Sequence, residues 1–277
     1  MNDPGTYAVG DIQGCLHPLR RLIRKSKIDL DRDQLWVAGD MVNRGPQSVE
    51  TLRYIKSLSE QMGGRLKVVL GNHDLHLLAL AHGIRKPVPG LSGILEASDR
   101  IELLEWLRHR PLMVRDTASK SVLVHAGIYP PWRIKQAAGY AQEVETMLRG
   151  PNAAKLLEKM YGNRPARWSG DLQGWPRYRF IINSMTRMRF CTRQGGLNLS
   201  YDGPPGTQSR KLYPWYQLPM VPRKNWRIVF GHFSYAGAWF NGNFIALDSG
   251  CVYGEKMTMA RIDLRKITFY QTDCKHG

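Results

Sequence analysis

The sequence predicts an α/β protein built on parallel strands. Up to residue 75, a short apolar run that ends in glycine and a polar residue is followed by a helical stretch, and this unit occurs three times. Similar apolar runs recur at three later points in a chain of 277 residues, which is long enough to bury a full core. Strand–loop–helix units of this kind form parallel sheets with helices on their faces.

Each of the first three predicted strands ends in a polar tip. These strands are Tyr7–Val9, Leu35–Ala38 and Leu66–Leu70, and their tips are Gly10-Asp11, Gly39-Asp40 and Gly71-Asn72-His73-Asp74. Apolar residues at helical spacing follow the first and the second tip. Because ligands bind at the carboxyl ends of strands in such sheets, we expect all three tips at the same functional edge.

Three later strands are predicted to end in the same way. They are Ser121–Val124, Arg227–Phe230 and Phe244–Leu247, followed by His125-Ala126-Gly127, Gly231-His232 and Asp248-Ser249-Gly250. The runs Met257–Asp263 and Ile267–Gln271 alternate between apolar and polar residues around Leu264–Lys266. This pattern predicts a closing hairpin and an antiparallel edge. Asp248 is as compatible with a turn as with a pocket lining.

A single domain over residues 1–277 is expected, with a cap-like insertion at roughly 130–225. Helical patterns at 134–149 and 152–160 precede a stretch rich in Trp, Tyr, Arg, Gly and Pro. Residues 151–235 contain 14 Lys/Arg and 3 Asp/Glu, a local excess of 14 − 3 = +11. Charged residues in such a stretch usually form a solvated face and tryptophans usually pack in a core, although cations and flat side chains can also bind polyanionic ligands.

Composition excludes several classes of protein. Apolar residues at 43% and charged residues at 23% are ordinary for a globular protein, so disorder and fibrous repeats are excluded. No apolar run reaches the length of a membrane span and no leader pattern precedes the first strand, so a cytoplasmic protein without a membrane is expected. No obligate protein partner is evident. The four widely spaced cysteines predict free, buried thiols in a reducing compartment.

The net charge of +17 favours polyanionic ligands. The tips supply carboxylates, amide oxygens and imidazoles, the ligands that Mn²⁺, Fe²⁺, Co²⁺ and Zn²⁺ accept. The candidate ligands are Asp11, Gln13, Asp40, Asn72, His73, His125 and His232. Two ions held close together need a bridging carboxylate, which Asp40 could supply.

Five of these segments together resemble the calcineurin-like metallophosphoesterases. They are Gly-Asp-Ile-Gln-Gly (10–14), Gly-Asp-Met-Val-Asn-Arg-Gly (39–45), Gly-Asn-His-Asp (71–74), His-Ala-Gly (125–127) and Gly-His (231–232). Residues 69–77, 124–128, 186–191 and 246–251 are similar to one subfamily, the bacterial symmetrical bis(5'-nucleosyl)-tetraphosphatases. The resemblance implies a layered α/β fold, in which a central β-sandwich of mixed sheets is flanked by helices.

The resemblance also implies two divalent metal ions, with Mn²⁺ or Co²⁺ expected and Fe or Zn left open. Asp11 and Gln13 would hold the first ion and Asp40 would bridge to the second. Asn72, His125 and His232 would complete the second site. Many superfamily members have His where this chain has Gln13, so this residue would ligate directly or through water.

Three further residues receive catalytic roles from the resemblance. His73 would be the general acid, Arg44 would clamp a phosphate oxygen, and Asp74 would orient or polarise the loop. Asn43 stands where phosphoprotein phosphatases usually have Asp, the partner of the catalytic His. Arg187 and Arg189 are candidate substrate ligands, and if their stretch is helical, at most one of them would face the substrate.

The implied activity is hydrolysis of diadenosine tetraphosphate (Ap4A) to two ADP. Dinucleoside-type caps on RNA 5' ends contain the same phosphate bridge and are a second possible substrate. The alternatives are a Ser/Thr protein phosphatase with the same metal centre and, more distantly, a non-catalytic basic protein that binds nucleic acid.

Overall fold

Two five-stranded mixed sheets stack at the centre of the protein, in a computed structural model that describes residues 3–219, 221, 226–263 and 266–275. The strands are β1 (Thr6–Val9), β2 (Gln34–Val37), β3 (Leu66–Val68), β4 (Met113–Asp116), β5 (Ser121–Val124), β6 (Phe190–Thr192), β7 (Leu197–Asn198), β8 (Leu212–Pro214), β9 (Arg227–Phe230), β10 (Trp239–Asn241), β11 (Phe244–Ala246), β12 (Lys256–Arg261) and β13 (Thr268–Asp273). The layered α/β fold with mixed sheets is therefore confirmed.

Each of the two sheets contains three parallel strands. The first sheet has the order β13-β12-β1-β2-β3, in which β1, β2 and β3 are parallel and β12 is antiparallel to β1. The second has the order β10-β11-β9-β5-β4, with β5, β9 and β11 parallel and an antiparallel strand at each edge. The hairpin of β12 and β13 is confirmed, although residues 264 and 265 of its turn lie outside the described residues.

The core has two layers because the strands are buried on both faces. Trp36 of the first sheet and Leu123 and Val229 of the second belong to a cluster between the sheets. Their neighbours along the strands, such as Val37 and Val124, belong to the larger cluster under the helices. Short runs of consecutive apolar residues are the consequence of this double burial.

Eight α-helices surround the described part of the sandwich. They are α1 (Leu16–Ser26), α2 (Ser48–Met62), α3 (Asn72–Ala81), α4 (Pro89–Glu96), α5 (Arg100–Arg108), α6 (Ile134–Arg149), α7 (Ala153–Lys159) and α8 (Gly174–Thr186). Helix α1 packs on β12 and β13, and α6 packs on β4. Among the helices in the described ranges, none combines the length and apolarity needed to cross a membrane.

The segment between β5 and β9 contains α6, α7, α8 and a small antiparallel sheet of order β7-β6-β8. Its aromatic residues mostly pack against each other. The ring of Trp168 lies 4.9 Å from Trp132 and 4.7 Å from Tyr140, measured between centroids, and Phe180 is fully buried beside them. Trp215 is buried as well, against Phe230. Trp168, Phe180 and Trp215 therefore stabilise the fold.

The prediction of four free cysteines is wrong for one pair. Cys251 and Cys274 form a disulfide, whereas Cys15 and Cys191 are free and buried. The pair meets because the end of β13 returns to the turn that follows β11, where the Cys274 amide donates to the Glu255 carbonyl at 2.8 Å. Spacing along the chain does not reveal such a contact. Only the free thiols of Cys15 and Cys191 therefore still agree with the prediction of a reducing compartment.

Candidate metal centre

The polar tips of both sheets meet at one edge of the sandwich. The first sheet supplies Asp11 and Gln13 after β1, Asp40 after β2, and Asn72 and His73 after β3; the second supplies His125 after β5, His232 after β9 and Asp248 after β11. Most of these residues line a cleft of about 830 Å³. Asp11 and His125 are buried beneath them. We use "metal centre" for Asp11, Gln13, Asp40, Asn72, His125 and His232.

Glycine allows the tips to approach each other closely. A Cβ at Gly71 would lie 2.0 Å from Oδ1 of Asp40, and a Cβ at Gly231 would lie 2.1 Å from Oδ1 of Asp11. Both distances are far below any allowed contact, so no other residue fits these positions without a shift. The glycine in each motif is thus required by the carboxylate that faces it.

The backbone of the site is strained. Seven described non-glycine residues have positive φ, and five of them lie here: Gln13 (45°), Asp40 (46°), Asn43 (82°), Arg44 (63°) and His232 (63°). Each such residue costs about 1–3 kcal/mol and persists only where surrounding contacts hold it. Two of those contacts are the amides of Ile12 and Gln13, which both donate to the Asp40 carbonyl at 3.1 and 2.8 Å.

Asp40 is at the centre of the ligand cluster. Its Oδ2 lies 3.2 Å from Nε2 of Gln13 and 3.4 Å from Nε2 of His125. Its Oδ1 accepts a 2.8 Å hydrogen bond from the amide of His73. Ligand atoms of Asp40, His125 and His232 all lie within 4.8 Å of one another. This position is the one that a bridging carboxylate requires.

The two histidines of the metal centre turn their Nε2 atoms to the ligand cluster. Nδ1 of His125 donates to the Ala38 carbonyl at 2.8 Å, and its Nε2 lies 3.2 Å from Oδ1 of Asn72 and 3.4 Å from Oδ2 of Asp40. Nε2 of His232 is buried and has no hydrogen-bond partner in the described part of the chain. An orphaned buried ring nitrogen is costly unless it binds a ligand, and a backbone bond on the opposite nitrogen is usual for metal-binding histidines. The residues present therefore fit a metal ion.

Charge also favours cations. Burial would raise the pKa of Asp40, but the His125 and His73 imidazoles hold that pKa well below its ordinary value. Burial and the nearby Asp248 raise the pKa of Asp11 well above its ordinary value. Burial likewise raises the pKa of Asp248 to about 6. Buried carboxylates that repel each other are stabilised by a divalent cation, and the oxygen and nitrogen donors suit a borderline ion.

Asn43 sets the proton position on His73. The Arg44 amide donates to Oδ1 of Asn43 at 2.8 Å, which fixes the side-chain amide and turns its Nδ2 toward Nδ1 of His73 at 2.7 Å. Because Nδ2 is a donor, Nδ1 accepts and the ring proton lies on Nε2, which is 3.8 Å from Oδ2 of Asp40. Burial lowers the pKa of His73. His73 therefore presents Nε2–H as a hydrogen-bond donor.

Asp74 does not reach the cleft. It is fully buried, and its two oxygens accept from the amides of Gly71 at 2.9 Å and Met41 at 3.0 Å. Burial and the nearby Asp40 raise the pKa of Asp74 to about 7. Asp74 thus joins the loop after β2 to the loop after β3 and acts through them.

Arg44, Arg187 and Arg189 all line the cleft. Only one of Arg187 and Arg189 was expected to face the substrate if their stretch is helical; that condition is not met, because α8 ends at Thr186 and both arginines lie in the short link to β6. Arg187 donates to Oδ1 of Asn183 at 2.9 Å, and Arg189 donates to the His232 carbonyl at 3.3 Å. Hydrogen bonds within the protein thus hold Arg187 and Arg189 at the wall of the cleft.

Sequence reasoning missed four residues at the outer part of the cleft. We use "rim" for Asp202, Tyr235, Tyr253 and Glu255, all exposed and all lining the cleft. Tyr235 and Tyr253 follow His232 and Asp248 by three and five residues. Their position just beyond a tip is the signal that could have identified them. Asp248, left open by the sequence, also lines the cleft and accepts from the Gly250 amide at 3.1 Å.

Comparison with known proteins gives consistent results. The sequence profile of the calcineurin-like phosphoesterases matches residues 6–175. The chain is 48% identical to a symmetrical bis(5'-nucleosyl)-tetraphosphatase of Thioalkalivibrio sulfidiphilus, over 97% of this chain and 99% of that one. It is 43% identical to the Nitrosococcus oceani protein of the same name, over 97% of both chains. A solved structure provisionally assigned as a diadenosine tetraphosphatase shares the fold, with a TM-score of 0.62 at 22% identity and coverage of 100% of this chain and 96% of that one.

Proposed function

Because this chain belongs to the calcineurin-like phosphoesterases, and within them to the family of symmetrical bis(5'-nucleosyl)-tetraphosphatases, we propose that it hydrolyses Ap4A symmetrically to two ADP. The reaction is a hydrolysis of a phosphoric anhydride bond. The observation that carries the proposal is that three arginines and a buried ligand cluster open into one cleft of about 830 Å³. Such a cleft suits a chain of several phosphates.

The metal centre supports two divalent ions. Asp11 and Gln13 would hold one ion, Asn72, His125 and His232 would hold the other, and Asp40 would contact both. Mn²⁺ or Co²⁺ are the proposed ions, because the donors are oxygens and imidazoles with no thiolate. When bound, the ions supply activation of a water molecule and neutralisation of phosphate charge.

The chain's own groups carry the remaining steps. His73 presents its Nε2–H toward the cleft and donates a hydrogen bond to the oxygen of the departing ADP. Arg44, Arg187 and Arg189 bind non-bridging phosphate oxygens through paired N–H donors. Asp74 keeps the loops after β2 and β3 together, so Asp40 and His73 stay aligned. Because a nucleoside diphosphate leaves readily as an anion, this hydrogen bond suffices and no proton has to be transferred.

The alternatives fit less well. A Ser/Thr protein phosphatase must expel an alkoxide, which calls for a stronger acid than a histidine paired with Asn43. A non-catalytic nucleic-acid-binding protein has no use for a strained, buried ligand cluster. Dinucleoside-type caps on RNA 5' ends share the phosphate bridge, so capped RNA is proposed as a second substrate.

The decisive experiment is an assay of metal-stripped protein with Ap4A and added Mn²⁺ or Co²⁺, with products separated by chromatography. ADP as the sole product is expected, and Asp40→Asn should abolish it. AMP plus ATP would contradict the symmetric cut. Turnover of a phosphopeptide without turnover of Ap4A would identify a protein phosphatase. Salt-dependent RNA binding without any turnover would identify a nucleic-acid-binding protein.

A further inference from the structure

The described surface exposes few large apolar or aromatic side chains. Those that stand out are Ile101, Tyr235 and Tyr253, with 76%, 64% and 59% of their surface accessible. Two of these three line the same cleft as the metal centre. An exposed aromatic ring beside a site usually marks a contact with a ligand, since burying the ring elsewhere would stabilise the fold.

Both tyrosines are positioned by the strand ends that also carry site residues. Tyr235 lies in the short 3-10 turn Ser234–Ala236, directly beyond the tip of β9. Tyr253 closes the turn Cys251–Tyr253, directly beyond the tip of β11, and its ring centroid is 5.5 Å from the Arg44 guanidinium carbon. No side-chain hydrogen bond to a described residue involves either hydroxyl. The backbone thus holds both rings near the metal centre, where the Arg44 guanidinium lies over one face of Tyr253 and both rings remain largely exposed.

The charges of the cleft change from the metal centre to the rim. Arg187 and Arg189 are partly buried, whereas Asp202 and Glu255 at the rim are exposed. Phosphates are favoured beside the arginines and disfavoured beside the carboxylates. An uncharged group with a flat face is the ligand that suits the rim, and a nucleobase attached to a phosphate chain has that form.

We propose that Tyr253 and Tyr235 are the stacking platforms for the two nucleobases of the dinucleoside polyphosphate. This inference rests on the proposed function and adds the residues that distinguish a nucleotide from a bare polyphosphate. The aromatic residues of the insertion do not compete for this role, because Trp168 and its neighbours are packed against each other.

The test compares Tyr253→Ala and Tyr235→Ala with the wild-type protein loaded with Mn²⁺. The KM for Ap4A and the inhibition constant of inorganic tetraphosphate, which lacks bases, are measured for each. We expect each Ala variant to raise the KM about tenfold. The inhibition constant of tetraphosphate should stay within about twofold of wild type, because the arginines and the metal centre are intact.

Conservative and distant variants control for the fold. Tyr253→Phe and Tyr235→Phe keep the ring and should keep the wild-type KM. Ile101→Ala removes an equally exposed side chain from α5, outside the cleft, and should change neither constant. Thermal unfolding of each variant checks that it is folded.

The other outcomes overturn the proposal. An unchanged KM for one Ala variant would exclude that tyrosine as a platform. A parallel rise in both constants for Tyr253→Ala would show that Tyr253 acts through Arg44 on phosphate. If wild-type protein with Mn²⁺ does not hydrolyse Ap4A, both the proposed function and the stacking role of the tyrosines are wrong. If wild-type protein is active and the Ala variants keep its KM, only the stacking role is wrong.

Discussion

The metal centre and the rim occupy the same cleft but are built in opposite ways. The metal centre is buried, consists of strand tips from both sheets, and holds several residues with positive φ. The rim is exposed; Tyr235, Tyr253 and Glu255 lie in or beside short turns that follow those tips, and Asp202 lies between β7 and β8. Strained, packed positions fix geometry to within a fraction of an ångström, whereas exposed turns present a surface. The difference predicts that changes at the metal centre reduce turnover, while changes at the rim reduce substrate affinity.

The largest effect is expected for Gly71→Ala. The added methyl would meet Oδ1 of Asp40 at 2.0 Å, so Asp40 must move. A displacement of this size costs about 100-fold in kcat or more. Bound metal, measured by elemental analysis, should fall as well. Gly64→Ala is the matched control, because nothing lies within 4 Å of a Cβ there. Unchanged kcat and metal content in Gly71→Ala would contradict the tight contact between the tips.

Arg189→Ala tests whether Arg189 contributes to substrate affinity, as the rim does, or to turnover, as the metal centre does. Its guanidinium lines the cleft and contacts the His232 carbonyl, so its loss removes a charged donor to phosphate. We expect a rise of roughly 10- to 100-fold in the KM for Ap4A, measured by steady-state kinetics. Arg193→Ala, on the exposed loop after β6, is the control. A loss confined to kcat would place Arg189 with the metal centre instead.

Asn43→Asp should change the preference for leaving groups. A carboxylate would accept a hydrogen bond from Nδ1–H of His73 and stabilise the imidazolium, which is a stronger acid than the neutral ring. Turnover of p-nitrophenyl phosphate or of an alkyl phosphate monoester should distinguish the two proteins. We expect about a tenfold gain for the alkyl ester and a change within about threefold for Ap4A. Equal effects on both substrates would show that Asn43 does not control the acid.

The smallest effect is expected from reducing the disulfide. Cys251 begins the turn that carries Tyr253, whereas no ligand of the metal centre lies between Cys251 and Cys274. Reduction should therefore raise the KM for Ap4A by about twofold and leave kcat unchanged, while unfolding stability falls by about 3 kcal/mol. The double variant Cys251→Ser/Cys274→Ser should not respond to reductant. A fall in kcat on reduction would indicate that the rim and the metal centre are coupled.

Much of the metal centre could be predicted from the sequence because its residues directly follow apolar runs. Asp11, Asp40, Asn72, His125 and His232 all lie within four residues of a strand end. The division of those strands between two sheets could not be read in the same way, since the runs look alike in both sheets. The β-sandwich was predicted from the resemblance to a known family and not from the strand pattern.

The disulfide depends on a contact that no local pattern encodes. The position of Tyr253 just beyond a strand tip indicates the cleft, but the exposure of its ring depends on the turn that carries it. The composition of the insertion predicted a ligand-binding role for both its aromatic and its basic residues. In the structure Trp168 and Trp215 pack in the core, whereas Arg187 and Arg189 line the cleft. Arg187 and Arg189 reach the cleft because α8 ends at Thr186. If the helix continued for one more turn, both side chains would point in other directions.

The pairing of β1 with β12 has a consequence for how the protein is made. Tyr7 pairs with Arg261, so the strand that carries Asp11 gains its second neighbour only after nearly the whole chain has been synthesised. His232 and Asp248 are late additions as well. Contacts of such long sequence separation form slowly. A nascent chain, or a chain truncated before β12, therefore lacks a complete site and should not hydrolyse substrate. During refolding, activity should appear only after these late contacts have formed.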